Sequence, residues 1–271
     1  MNKKIKAFFV DLDGTFLDQI DDTFSPVSQA NLEKAKEVNK ERNFIISTGR
    51  SNSEFVLNLA REINSKYIIC QNGAVIVDKD NNILVNNLIE NETAKSLKEF
   101  LEQKNLNYTI NGDPIIYTNN EKNITLDRPW AKEFVKKSYK EANLEQNINR
   151  MLTFGLNSKE LTKKLSNEIL TKFPNLRTHI VSKGLSLEIT NKNSTKGIGN
   201  LFICNLLNIK VDEAWHIGDS GNDICVKEQG FKLAIMANAI EEIKNEANFL
   251  SIENINSGVA KTIDLLDNMA K

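Results

Sequence analysis

The sequence predicts an α/β fold, a doubly wound parallel sheet with an inserted α+β domain, and three observations carry that prediction. Short apolar runs at 5–10, 44–47 and 67–70 each stop abruptly in a polar loop containing glycine. Patterns with helical spacing separate those runs, and strand–helix alternation of this kind signals parallel pairing. The same alternation returns after residue 188, with a differently patterned stretch between.

The first run ends in Asp11-Leu12-Asp13-Gly14-Thr15. In extended backbone, alternate side chains share a face, so Asp11 and Asp13 start on one side, and Gly14 allows a turn beyond them. Two carboxylates this close repel one another unless a cation joins them. Residues 18–26 are polar and turn-like, and a helix is expected from Ser28 to about residue 42, with Leu32, Ala35 and Val38 on one face. The run 44–47 ends in Thr48-Gly49-Arg50, and a helix starts at Ser53 or Glu54. The third run, 67–70, ends in Gln71-Asn72-Gly73.

From Ala74 the pattern changes. Residues 74–77 and 83–85 flank a short polar connection and read as a hairpin. A helix over 92–103, strands over 107–110 and 115–118, a charged helix over 131–141, a strand over 151–155, a helix over 158–173 and strands over 178–181 and 185–189 follow. These assign residues 83–187 to an inserted α+β domain and residues 1–82 with 188–271 to the core. The core pattern then resumes with a helix over 196–207, a strand over 213–217, a short helix over 222–228, a strand over 232–235, a helix over 239–247, a strand over 249–252 and a helix over 258–269. The strand at 213–217 feeds Gly218-Asp219-Ser220-Gly221-Asn222-Asp223.

Composition bounds the function classes. The chain has 271 residues, 40% hydrophobic and 26% charged, with a net charge of -1. Interspersed charges of near-zero sum give no field that would draw nucleic acid or an anionic membrane. No apolar stretch approaches the roughly 20 residues of a membrane span, and Met1-Asn2-Lys3-Lys4 leads straight into the first strand, so a cytoplasmic protein, monomeric or a small homo-oligomer, is expected. Cys70, Cys204 and Cys225 are scattered and odd in number, which reads as buried free thiols. His179 and His216 lie inside apolar strands and read as core residues.

Ligands of open α/β sheets bind beyond the carboxyl ends of the strands. Asp11, Asp13, Thr48, Arg50, Asn72, Asp219, Asn222 and Asp223 all stand at such ends, and oxygen ligands without Cys favour a hard cation such as magnesium. Arg50 could fork onto phosphate or pair with a carboxylate.

Taken in order, Asp11-Leu12-Asp13-Gly14-Thr15, Ser47-Thr48-Gly49-Arg50, Asn72-Gly73-Ala74, Lys196-Gly197 and Gly218-Asp219-Ser220-Gly221-Asn222-Asp223 resemble the haloacid dehalogenase superfamily. More narrowly they resemble its Cof-type sugar phosphatases, which carry a large class IIB cap on a Rossmann-like core. Ala234-Ile235-Met236-Ala237-Asn238-Ala239 and Gly258-Val259-Ala260 resemble the C-terminal pattern of that branch, with Ala237 standing where the family commonly has Gly. The resemblance implies a phosphoric monoester hydrolase with Asp11 as nucleophile, Asp13 as acid and then base, and magnesium on Asp11, the backbone carbonyl of Asp13 and Asp219. It further implies phosphate contacts from Thr48, Gly49, Lys196 and Asn222, with Asp223 and Arg50 supporting. The substrate would be a small phosphorylated metabolite: a sugar phosphate, nucleotide or cofactor phosphate. The cap would select it, and Asn111-Gly112-Asp113, Tyr117, Asp127-Arg128 and Trp130 are polar or aromatic groups in cap turns, none of them singled out as a site. A phosphomutase, or a non-catalytic phosphometabolite-binding regulator, remains an alternative.

Overall fold

The computed structural model describes residues 4–18, 27–119, 129–145 and 147–270. Its first unit comprises Met1–Val85 and Thr195–Lys271, and its second Asn86–Ser194. In chain order the first unit opens with β1 (Ala7–Val10), α1 (Gln29–Glu41), β2 (Asn43–Ser47), α2 (Glu54–Glu62), β3 (Tyr67–Cys70), β4 (Val75–Asp78) and β5 (Ile83–Asn86). The second holds α3 (Asn91–Gln103), β6 (Asn107–Ile110), β7 (Ile115–Tyr117), α4 (Pro129–Lys132), β8 (Val135–Lys137), β9 (Arg150–Phe154), α5 (Lys159–Lys172), β10 (Leu176–Val181) and β11 (Ser186–Asn191). The first unit then resumes with α6 (Lys196–Leu206), β12 (Ala214–Gly218), α7 (Gly221–Ile224), β13 (Lys232–Ile235), α8 (Glu241–Lys244), β14 (Phe249–Leu250) and α9 (Gly258–Met269).

The first unit is built on an eight-stranded sheet in the order β14-β13-β12-β1-β2-β3-β4-β5. From β14 to β3 all pairs are parallel, and β4 runs antiparallel to β3. All four side chains of β1 are buried. Because strand side chains alternate, Phe8 and Val10 join one apolar layer with Ala35, Val56 and Ile263, while Ala7 and Phe9 join another with Ile203, Val226 and Phe231. Helices on both faces make the sheet doubly wound. Strand order reverses at β1, so the loops leaving β1, β2 and β12 lie side by side.

The second unit has a six-stranded sheet, β10-β11-β9-β6-β7-β8, antiparallel except for β7 with β8. One face is covered by Ala94, Leu97 and Leu101 of α3 and by Leu165 and Ile169 of α5.

Three details depart from the sequence reading. The helix expected over 131–141 ends at Lys132, and Val135–Lys137 instead extends the sheet beside β7, with Val135 donating its N–H to the Pro114 carbonyl at 2.9 Å. A lysine-bearing edge strand and a continuous charged helix look alike in composition, and sheet pairing decides between them. The helix expected over 239–247 is a single turn, Glu241–Lys244. The units divide at 85/86 and 194/195, whereas the sequence placed the boundaries at 82/83 and 187/188. The second boundary falls inside β11, whose ladders with β9 and β10 hold it in the second sheet.

Past Asp18, the polar turn over 18–26 lies outside the described residues, as do Asp127, Arg128 and the side chain of Trp130. The three cysteines are buried thiols, none in a disulfide. No described helix is long and apolar enough to cross a membrane.

Candidate active site

The site begins where β1 runs out of apolar residues. Asp11 extends the ladder by one bond, its N–H donating to the Ile217 carbonyl at 2.9 Å. A wide turn follows, in which the N–H of Phe16 reaches the Asp11 carbonyl (3.2 Å) and that of Leu17 the Leu12 carbonyl (2.9 Å). Gly14 takes φ +73°, and a Cβ there would stand 2.4 Å from Asp219 Oδ2. Glycine therefore serves twice, in backbone shape and in letting the turn lie against Asp219. Thr15 secures the contact by donating its hydroxyl to Asp219 Oδ1 at 3.1 Å.

Lys196 arrives from a distant part of the chain. The Thr195 side chain caps α6 by accepting the Ile198 N–H at 3.0 Å, which makes Lys196 the first helical residue. Its side chain is wholly buried, with Nζ 2.7 Å from Asp11 Oδ1 and 2.7 Å from Asp223 Oδ1. Asp223 sits in the first turn of α7, where its Oδ2 accepts the backbone N–H groups of Asp219 (3.1 Å) and Ser220 (3.0 Å). Its Oδ1 also accepts from His216 Nε2 at 2.7 Å. A Cβ on Gly218 would fall 2.2 Å from Asp223 Cγ, so the glycine ending β12 makes room for that carboxyl.

Electrostatically, the cluster lacks positive charge. Burial, with repulsion from Asp223, Asp219 and Asp13, pushes the Asp11 carboxyl well above the usual range against the pull of Lys196. Burial and the neighbouring Asp223 push Asp219 up to about 7. Asp223 is the exception: burial opposes its charge, yet Lys196 and His216 hold it well below the ordinary value. Burial also works against the Lys196 ammonium, and the two carboxylates outweigh it, so its pKa is raised.

Carboxylate oxygens of Asp11, Asp219 and Asp223 lie within 4.8 Å of one another. Asp223 already accepts from Lys196, His216 and two backbone amides, whereas Asp219 accepts from Thr15. Asp11 and Asp219 are therefore the carboxylates better able to hold a cation. Their all-oxygen character and raised pKa values fit a hard divalent ion.

The loop after β2 brings Thr48 close, fully buried, its hydroxyl accepting the Arg50 N–H at 3.1 Å. Asn72, in left-handed backbone (φ 52°), accepts from Asn222 Nδ2 at 2.9 Å and donates its own N–H to the Thr48 carbonyl at 3.0 Å. Gly49 lies beside Asn72, since a Cβ on it would meet Asn72 Nδ2 at 3.5 Å. Arg50 takes the carboxylate alternative that the sequence left open: its Nε (2.8 Å) and Nη2 (2.5 Å) fork onto the two oxygens of Asp13. Asn238 braces the first loop by donating to the Gly14 carbonyl at 2.9 Å and accepting the Asn254 N–H at 3.0 Å. Ala237 is not among the described residues with positive φ, which explains why alanine is tolerated where a glycine is common.

A family model for haloacid dehalogenase-like hydrolases matches residues 8–263. The chain belongs to the haloacid dehalogenase-like hydrolase family. As a member it is an enzyme. The chain is 25% identical to the 5-amino-6-(5-phospho-D-ribitylamino)uracil phosphatase YwtE of Bacillus subtilis, covering 97% of this chain and 98% of the relative. Among solved structures, a haloacid dehalogenase-like hydrolase from B. subtilis superposes with a TM-score of 0.79 at 24% identity, over 97% of this chain and 100% of the other. The subclass IIB sugar phosphatase BT4131 superposes with a TM-score of 0.77 at 21% identity, over 96% and 98%. Both structural likenesses speak to the fold.

For this haloacid dehalogenase-like hydrolase, sequence reasoning took His216 for an ordinary core residue and did not single out Asn200. Both are fully buried, His216 against Asp223 and Asn200 against His216. One signal for Asn200 was available: it lies four residues beyond Lys196 in α6, and so on the same helix face.

Proposed function

We propose that the protein is a magnesium-dependent phosphatase that hydrolyses a small phosphorylated metabolite, foremost a sugar phosphate, through a phosphoaspartyl intermediate on Asp11. The observation that carries this reading is the pairing of a buried Asp11 with a wholly buried Lys196 at 2.7 Å, beside Asp219. A carboxylate placed there can attack phosphorus, dividing a difficult hydrolysis into two displacements. Magnesium, held by Asp11, Asp219 and the backbone carbonyl of Asp13, would supply positive charge that lowers the repulsion between an anionic nucleophile and an anionic ester.

The remaining work falls to side chains of this chain. Lys196 offers a fixed cation and Thr48 a buried hydroxyl to the phosphoryl oxygens as charge redistributes over them. Asn222 presents its amide at the same edge, oriented by Asn72. Asp13 protonates the leaving alkoxide, then takes a proton from the water that attacks the phosphoaspartate. Both arms of Arg50 engage the two oxygens of Asp13, so in this arrangement the carboxyl faces Arg50 and not a leaving group. The Arg50 fork therefore orients Asp13 between turnovers and must open for the acid step. Residues 86–194, a separate folded unit, serve as the cap that selects the leaving group. YwtE is a phosphatase of a 5-phospho-D-ribitylamino compound, and this supports a phosphorylated sugar or open-chain sugar derivative as substrate class.

Release of inorganic phosphate tests the reading. Wild-type protein with magnesium is expected to release it from at least one member of a panel of sugar phosphates, nucleotides, flavin mononucleotide and pyridoxal phosphate. Asp11→Asn, folded as judged by its melting curve, is expected to lose at least about a thousandfold in kcat. Retention of magnesium-dependent turnover in that variant would remove Asp11 as nucleophile. Transfer of the phosphoryl group back to a sugar without phosphate release would mark a mutase.

A further inference from the structure

The buried wall of the site holds a polar chain that the proposed chemistry has not yet used. Ser47 Oγ lies 3.1 Å from Asn200 Oδ1, and Asn200 Nδ2 lies 3.1 Å from His216 Nδ1. His216 Nε2 lies 2.7 Å from Asp223 Oδ1, the same oxygen that receives Lys196 Nζ at 2.7 Å. Lys196 in turn is 2.7 Å from Asp11. The side chains of His216, Asn200, Ser47, Asp223 and Lys196 are all closed off from solvent. His216 pairs in register with Phe9 and faces the apolar layer around α6, where an unpaired polar group is costly.

The donors and acceptors run one way along this chain. Ser47 gives its hydroxyl hydrogen to the Asn200 oxygen, and the Asn200 amide gives a hydrogen to His216 Nδ1. That leaves the imidazole proton on Nε2, aimed at Asp223. The reverse orientation would set a bare Nε2 lone pair against a carboxylate oxygen, and a doubly protonated ring is disfavoured by burial, which pushes the His216 pKa down. Asp223 Oδ1 is consequently shared between a neutral donor and a cationic one.

We propose that His216 is a positioning residue for the phosphatase reaction: its Nε2–H, with its tautomer fixed by Asn200, satisfies half of Asp223 Oδ1 and so keeps Lys196 shared with Asp11. This rests on the function proposed above. Without the imidazole donor, Asp223 has only Lys196 to answer its Oδ1 charge, and the ammonium is drawn away from Asp11. A neutral donor suits this place, because a second cation would compete with Lys196 for the same carboxylates.

Two measurements test it. With p-nitrophenyl phosphate as probe, His216→Phe is expected to lower kcat at least about tenfold with KM within about threefold, while His216→Gln, which can both donate and accept, recovers kcat to within about threefold of wild type. A folded His216→Phe variant with kcat within about twofold of wild type, or a His216→Gln variant no better than it, overturns the assignment. Nitrogen-15 NMR of histidine-labelled protein is expected to show the Nε2–H tautomer at neutral pH, and Asn200→Leu is expected to disturb it. An Nδ1–H tautomer or an imidazolium overturns the relay without reference to turnover. The two readings fail separately: turnover lost in Asp11→Asn but intact in His216→Phe sinks the relay alone, and turnover that survives Asp11→Asn sinks the reaction assigned to it.

Discussion

Asp11 and Asp13 are two residues apart, and their surroundings give them different work. Asp11 is buried and paired with Lys196, whereas Asp13 is exposed and held by the fork of Arg50. A nucleophile benefits from the first setting and a proton carrier, which must exchange with water, from the second. Asp13→Asn should therefore slow the second displacement more than the first when the leaving group needs no protonation. With p-nitrophenyl phosphate, rapid mixing is expected to show a burst approaching one nitrophenolate per protein, followed by a steady rate lowered by about 10²–10⁴. A variant with a normal steady rate, or a slow rate without a burst, would remove Asp13 from the hydrolytic step. The sequence made Asp11 and Asp219 legible as site candidates because apolar strands end on them. It could not show that Arg50 meets Asp13 or that His216 meets Asp223, because those partners depend on how separate loops are brought to one sheet edge.

Among the elements, the strands were the most legible part, because a strand buried on both faces leaves an unbroken apolar run such as Phe8-Phe9-Val10. The segment 131–141 was misread for the opposite reason: Lys136 and Lys137 lie on an edge strand that needs no apolar run, and only its ladder to β7 reveals it. The turn from β12 into α7 shows what an element junction demands. Gly218 closes the strand, and the carboxyl of Asp223 occupies the place its side chain would take. Gly218→Ala must push Asp223 aside, breaking its hold on the Asp219 and Ser220 amides as well as on Lys196. Leaving a buried lysine poorly paired costs about 3–5 kcal/mol when a partner is removed outright. A loss of roughly 2–4 kcal/mol is expected in urea unfolding, together with a fall in kcat at least as large as that of His216→Phe. An alanine variant with wild-type stability and turnover would show that the turn is looser than this geometry requires.

Over the whole molecule a net charge of -1 conceals a strong local imbalance, since Asp11, Asp219 and Asp223 gather around a single buried lysine. The division into two units was legible as a change in pattern, but its limits were not, because β11 reads the same whichever sheet it joins. The charge imbalance has a consequence for pH that magnesium should reverse. Asp219 is raised from 3.8 to about 7 in the folded, metal-free chain. Between about pH 4 and 7 the unfolded chain has therefore released that proton while the folded chain retains it, and stability falls as pH rises. Asp11, raised by burial and its acidic neighbours, acts in the same direction. His216 opposes them, because burial lowers its pKa, so the unfolded chain holds that proton to higher pH than the folded chain does. Two carboxylates outweigh one imidazole, so in chelator the melting temperature is expected to drop by a few degrees between about pH 5 and 7.5. A cation bound to Asp11 and Asp219 competes with their protons, so added magnesium should raise the melting temperature more at the higher pH than at the lower. Differential scanning calorimetry with chelator and with magnesium measures both slopes. A metal-free melting temperature that climbs through this window, with a magnesium response independent of pH, would show that these carboxylates do not form the cation site.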